Sequence, residues 1–156
     1  MRYAEIRSMD ISNGEGVGIS LFVQGCPIHC KNCFNKETWD FRGGHEWNQE
    51  SKEKLFALLN RDYIKRISIL GGEPLCEENC KDVCLLVKEI KIRQPKKKIW
   101  IYSGYTFEEL KNRSDEVKEI LCLIDCLVDS PYIDEERDLS LSFRGSSNQR
   151  IIKMNK

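Results

Sequence analysis

Cys26, Cys30 and Cys33 follow directly on the apolar run Gly18-Ile19-Ser20-Leu21-Phe22-Val23, so a buried strand delivers three close thiols into one loop. The Cys-x3-Cys-x2-Cys spacing differs from the Cys-x2-Cys pairs of zinc knuckles and from the four-cysteine run of bacterial ferredoxins. Three thiolates can hold three irons of a cubane [4Fe-4S] cluster, which leaves the fourth iron without a ligand from this motif and free to bind a substrate. A zinc site and cysteines that merely pack in a core are the competing readings. Structural zinc wants four ligands, and only His29 stands near enough to serve as a local fourth.

Around this loop the chain alternates between two periodicities. Tyr3 to Arg7 reads as a short first strand, and Ile64 to Leu70 as an apolar strand, interrupted by charge at Lys65 and Arg66, that stops where Gly71-Gly72 begins. Lys98 to Tyr102 and Ile124 to Val128 are further strands, the second ending at Asp129. Between them, Ser51 to Leu59 carries Leu55, Leu58 and Leu59 at helical spacing, and Asn79 to Ile92 places Val83, Leu86, Val87 and Ile90 on one face. Thr106-Phe107-Glu108-Glu109 offers a capping box to the next helix, which restarts near Arg113 to Asp115 and continues through Val117 to Leu121. Leu139 to Phe143 and Arg150 to Ile152 are expected as extended pieces lining or edging the sheet.

This order predicts an α/β fold of mostly parallel strands with crossover helices, whose ligands bind at the carboxyl ends of the strands. A closed eight-unit barrel takes about 250 residues. With 156 residues, a single domain over 1–156 built as an open, partial TIM-like barrel is what remains.

Charge and hydropathy narrow the function classes. Lys plus Arg equals Asp plus Glu at 25 each, which argues against a general nucleic-acid binder. The tail bearing Arg150, Lys153 and Lys156 reads as a solvated end. No apolar stretch reaches the roughly 20 residues that span a bilayer, and Met1-Arg2-Tyr3-Ala4-Glu5 lacks the apolar core of a signal peptide. A cytoplasmic chain with no membrane role is therefore expected, in which eight cysteines do not form a disulfide framework.

The cysteines are followed by Gly71-Gly72-Glu73-Pro74 at a strand end, and together these resemble the signature of the radical S-adenosylmethionine (SAM) superfamily. In chain order, Gly14-Glu15-Gly16, Gln24-Gly25-Cys26-Pro27, Cys33-Phe34-Asn35, Ser103-Gly104-Tyr105-Thr106, Val128-Asp129-Ser130-Pro131-Tyr132 and Arg144-Gly145-Ser146-Ser147-Asn148-Gln149-Arg150 extend the match over nearly the whole chain. The ordered set is similar to the family of proteins that activate the anaerobic ribonucleoside-triphosphate reductase. That resemblance implies the radical SAM type of barrel, one [4Fe-4S] cluster, bound S-adenosyl-L-methionine and a flavodoxin- or ferredoxin-type electron donor. It also implies the reaction: SAM is reductively cleaved to methionine and a 5′-deoxyadenosyl radical, which takes a hydrogen from a backbone glycine of the reductase large subunit under anaerobic conditions. Cluster and SAM carry this chemistry, so no side chain is expected as a catalytic acid or base. A radical SAM enzyme for another glycyl-radical protein or a small molecule, and an iron-sulfur electron-transfer module, are the alternatives.

Each candidate residue has a physical role. Cys26, Cys30 and Cys33 are the expected iron ligands. Gly71 and Gly72 remove side chains at a strand end and so expose backbone to a ligand, while Glu73 adds a carboxylate acceptor. The resemblance places this loop against the amino group of SAM, Ser103, Gly104 and Tyr105 along the SAM pocket, and Asp129 beside SAM or the partner groove. His29 is expected to make a hydrogen bond or a partner contact, because SAM must occupy the open iron. Phe34, Trp39 and Phe41 follow the third cysteine closely enough to form an apolar rim for the reductase's glycine-bearing segment, with core packing as the alternative. Cys76, Cys80 and Cys84, like Cys122 and Cys126, recur every four residues, which puts thiols on one helical face where they pack as small hydrophobes.

Overall fold

Side-chain alternation along the strands decides which face of the sheet meets helices. In β4 (Arg66–Gly71), Ile67 and Ile69 enter the main apolar core, whereas Arg66 and Ser68 turn to the opposite face. The computed structural model describes residues 1–154. Its sheet runs β3-β1-β2-β4-β5-β6-β7, with β1 (Arg2–Asp10), β2 (Gly18–Gln24), β3 (His45–Glu46), β5 (Lys98–Tyr102), β6 (Cys126–Asp129) and β7 (Arg150–Lys153). The central neighbours β2, β4, β5 and β6 are parallel, and β1, β3 and β7 add antiparallel pairings at the two sides. The sheet is open, ending on β3 at one edge and β7 at the other.

Helices α1 (Gln49–Leu59), α2 (Glu77–Arg93), α3 (Phe107–Leu110) and α4 (Asp115–Leu123) connect the parallel strands. Their starts are written in local chemistry. Asn48 and Ser51 exchange side-chain and backbone hydrogen bonds at the head of α1, and Thr106 and Glu109 form the expected capping box on α3. In α2, Glu77 and Glu78 sit in the first turn and Lys91 and Arg93 in the last, matching the helix dipole. The face predicted from spacing, Val83, Leu86, Val87 and Ile90, is buried with Leu55, Leu59, Ile99, Ile120 and Leu127 in one core. Burial of each such side chain is worth about 1.5–3 kcal/mol, so this helical layer carries much of the stability.

The opposite face is covered by loops. Arg66 is fully buried there: its Nη2 donates to the Asp10 carbonyl at 2.9 Å, and its Nη1 donates to Ser68 Oγ at 2.8 Å. Burial disfavours the Asp10 anion, but hydrogen bonds from Ser20 and Ser12, with the Arg66 charge, outweigh it and hold the carboxyl down at about 2. The Arg66 charge that interrupts this strand in the sequence is therefore an internal tie to the end of β1.

Two expectations change at the C-terminal end. Leu139 to Phe143 is a run of turns and bends rather than an extended piece, because Asp138 accepts from Ser140 N–H at 2.9 Å and Phe143 is left-handed at φ 62°. Arg150 is no solvated tail residue: it opens β7 and its guanidinium pairs with Asp129 and Glu108. Lys156 lies outside the described residues.

Candidate functional site

β2 ends in the cysteine loop, and the loop's base is closed by backbone. Gly25 N–H donates to the Thr38 carbonyl at 2.6 Å and Cys26 N–H to that of Trp39 at 3.1 Å. Gln24 adds its side-chain amide, donating to the carbonyls of Glu37 and Asp40 at 3.0 and 2.8 Å. Between these ties the chain turns through two left-handed non-glycine residues, His29 at φ 54° and Asn32 at φ 56°, on either side of Cys30. The three thiols are half-buried on the wall of one cavity of about 420 Å³, within the range of small-molecule sites.

The carboxyl ends of β4 and β5 complete that wall. Glu73 N–H donates to the Gly25 carbonyl at 2.8 Å, and Gly72 N–H to that of Val23 at 2.9 Å, so the Gly-Gly-Glu turn is laid against the start of the cysteine loop. A Cβ on Gly72 would meet the Gly25 oxygen at 2.4 Å, and one on Gly104 would meet Ile28 Cδ1 at 2.5 Å. At both positions the space opened by glycine is filled by the cysteine loop itself.

Glu73 is 1% exposed, and its carboxylate is held by protein donors. Ser103 Oγ and Leu75 N–H donate to Oε1 at 2.8 and 3.0 Å, and Gly104 N–H donates to Oε2 at 2.7 Å. Burial lifts its pKa to about 7 although all three bonds favour the anion. Glu73 thus locks the β4 loop to the β5 loop beneath the cavity.

The structure brings Cys26, Cys30, Cys33, Gly71, Gly72, Glu73, Ser103 and Gly104 onto the same cavity, with Phe34 and Trp39 at its side. Asp129, Tyr105, Phe41 and His29 are not among its lining residues. Asp129 is fully buried and spends its carboxylate on Phe107 N–H at 2.7 Å and on Arg150, which ties β6 to β7 and α3. Tyr105 lies under the Arg113 guanidinium at 4.0 Å, and Phe41 packs on Gly25. The His29 ring stacks on Trp39 with centroids 4.3 Å apart and planes 9° from parallel. Phe34 remains 53% exposed and leans on Tyr132 at 4.9 Å.

Sequence reasoning missed three contributors. Asn79, 2% exposed, donates its amide to the carbonyls of Gln24 and Glu73 at 3.2 and 3.1 Å and so joins α2 to both loops. Tyr132 and Asp134 reach the cysteine loop from the segment after β6. Asn79 reads in the sequence as one more polar position near a helix start, Tyr132 closes the matched segment from Val128 without a role assigned to it, and nothing local points to Asp134.

The donor set fits an iron-sulfur cluster. Burial pushes the Cys26 and Cys30 thiols up, so bound metal must supply the positive charge that keeps them as thiolates. Asn35 N–H donates to the Cys33 sulfur at 3.3 Å, and backbone hydrogen bonds from His29 and Ile28 at Cys26 and from Tyr132 at Cys30 work against the effect of burial. Such donors stabilise cluster thiolates. Among the described residues no group of three or more His, Cys, Asp or Glu side chains is placed to hold a single ion, and structural zinc takes four; a cubane offers each thiolate its own iron.

The family described as a 4Fe-4S single cluster domain matches residues 12–152. The anaerobic ribonucleoside-triphosphate reductase-activating protein of Vibrio cholerae serotype O1 is 40% identical over 97% of this chain and 97% of its own length. Those of Escherichia coli K12 and of enterobacteria phage T4 are 38% and 35% identical over 97% of this chain, covering 97% and 93% of their own. Among the described residues no helix is long and apolar enough to cross a membrane.

Proposed function

The chain belongs to the family of anaerobic ribonucleoside-triphosphate reductase-activating proteins and carries its 4Fe-4S single cluster domain, and from that premise we propose that it is a radical SAM enzyme that installs the glycyl radical on that reductase. The observation that carries this reading is the meeting of all three loop cysteines with the carboxyl-end loops of β4 and β5 on one cavity. When bound, the cluster and SAM supply one electron and the 5′-deoxyadenosyl radical that takes hydrogen from a glycine of the reductase large subunit.

The chain's own residues bind, orient and exclude water. Cys26, Cys30 and Cys33 would hold the cluster, which would supply one iron without a protein ligand for SAM. Gly71 and Gly72, with Ser103 and Gly104, form the adjoining wall and present backbone to SAM, while Glu73 fixes the spacing of the two loops from beneath. Phe34 and Leu139, both exposed and both on the cavity, make an apolar mouth suited to an entering peptide segment. The open seven-stranded sheet is read as the partial barrel of radical SAM proteins, which leaves that mouth wide enough for a macromolecular substrate. A flavodoxin- or ferredoxin-type protein is the electron donor, and the work is anaerobic and cytoplasmic.

The test is direct. Reduced, cluster-loaded protein mixed with SAM and the anaerobic reductase is expected to give the glycyl radical doublet in electron spin resonance. SAM cleavage with no doublet would assign the chain to another substrate.

A further inference from the structure

Cys30 lies between two residues that the backbone alone does not hold. A left-handed φ at a residue with a Cβ costs about 1 kcal/mol or more, and it persists where surrounding contacts over-determine it. His29 is held inside the loop's own return, by its stack on Trp39. Asn32 is held from the other end of the chain: its Nδ2 donates to Asp134 Oδ2 at 2.8 Å, and Tyr132 Oη donates to the other carboxylate oxygen at 2.9 Å. These two bonds keep the Asp134 carboxyl below its ordinary range, so the acceptor is charged at neutral pH. The same segment sets the Tyr132 ring against Phe34, the neighbour of Cys33.

We propose that Asp134, in the turn after β6, is a positioning residue for the iron-sulfur cluster: through Asn32 it holds the cysteine loop in the left-handed turn that keeps Cys30 and Cys33 on the cavity wall. The proposal rests on the cluster reading above. Asp134 touches neither cluster nor SAM in this role. Its effect passes through the Asn32 amide. An outer contact that orients a metal ligand is worth about 10- to 100-fold in metal retention.

The experiment follows cluster loss from the loaded full chain under anaerobic conditions. A ferrous chelator is added, the visible iron-thiolate absorbance is recorded, and the melting temperature of the metal-free chain is measured alongside. Asp134→Ala is expected to release the cluster about 10-fold faster with the metal-free melting temperature nearly unchanged. Asn32→Gly takes the left-handed φ without an anchor, so it should release at the parent rate, whereas Asn32→Ala should match Asp134→Ala. Asp134→Ala added to Asn32→Gly should then cost nothing further. Parent-like release from Asp134→Ala, or an equal 10-fold loss in the Asn32→Gly background, would overturn the proposal. If Asp134→Ala does not fold, the Asn32→Ala and Asn32→Gly pair decides: fast release from the first alone supports the proposal, and equal rates from the two overturn it. A parent chain that takes up no cluster would defeat the cluster reading itself.

Discussion

Cys26 and Cys30 are four residues apart, and so are Cys80 and Cys84, yet the two pairs live in different physical worlds. Cys80 and Cys84 project from α2 into the apolar core; they are 6% and 3% exposed, with sulfurs near Ser114 and Glu119. Cys26 and Cys30 sit on a turn whose left-handed His29 breaks any helical path, and both residues line the cavity. In α2 that spacing buries thiols side by side, but the same interval fails to do so for Cys122 and Cys126, because α4 ends at Leu123, leaving Cys122 exposed and Cys126 buried in β6. What makes a site is the backbone between the cysteines.

The comparison breaks first if the loop cysteines are dispensable. Cys30→Ala should abolish cluster binding, with iron falling from about four per chain to near none and visible absorbance lost, since the proposed ligand set is these three thiolates. Retained iron would place the cluster elsewhere.

Next in size is the carboxylate that locks the two loops. Glu73→Ala strands the Ser103, Leu75 and Gly104 donors in a buried site, and a loss of about 3 kcal/mol is expected in denaturant unfolding of the metal-free chain. Glu73 also imposes a pH dependence with a definite sign. Its folded pKa of about 7 lies above the ordinary 4.5, so the folded chain binds the extra proton and stability is lost as pH rises through that window. The drop is up to about 3 kcal/mol, and Glu73→Gln should flatten it. Asp10 acts oppositely, its contribution present above 3.8 and lost as pH falls toward about 2.

A smaller effect belongs to the helical cysteines. Cys84→Ala should cost about 1 kcal/mol through lost packing while iron per chain stays constant. A fall in iron would make α2 part of a second metal site. Smallest of all, Glu135→Ala removes only the exposed pair with Lys31 and should change stability and cluster release by less than about 1 kcal/mol and twofold. A large change there would show that charge, rather than the Asn32 turn, secures the loop.

Much of this was legible in the sequence where local chemistry decides. The apolar face of α2, the Thr106 capping box and the Gly71 stop at the end of β4 follow from spacing, side-chain oxygens and a missing Cβ. Leu139-Ser140-Leu141-Ser142-Phe143 alternates like a strand, but Asp138 captures the backbone first and Leu139 stays 77% exposed. Arg66 read as a charge on a strand because its partner, Asp10, is 56 residues away. The three cysteines are legible as a motif, whereas Asn79, Tyr132 and Asp134, which contact the surrounding loops, are joined to them only by the fold. Gly72 and Gly104 were legible as open positions, and the structure adds that the neighbouring loop fills the opening.

Three cysteines on one cavity are proposed to hold a cluster with an iron left open for SAM. Electron spin resonance of the reduced, loaded protein before and after addition of SAM tests it most directly. A shifted spectrum in the parent is predicted, because SAM enters the coordination of the open iron. A spectrum that stays the same at saturating SAM would mean a coordinatively closed cluster and an electron-transfer module, and would contradict the account.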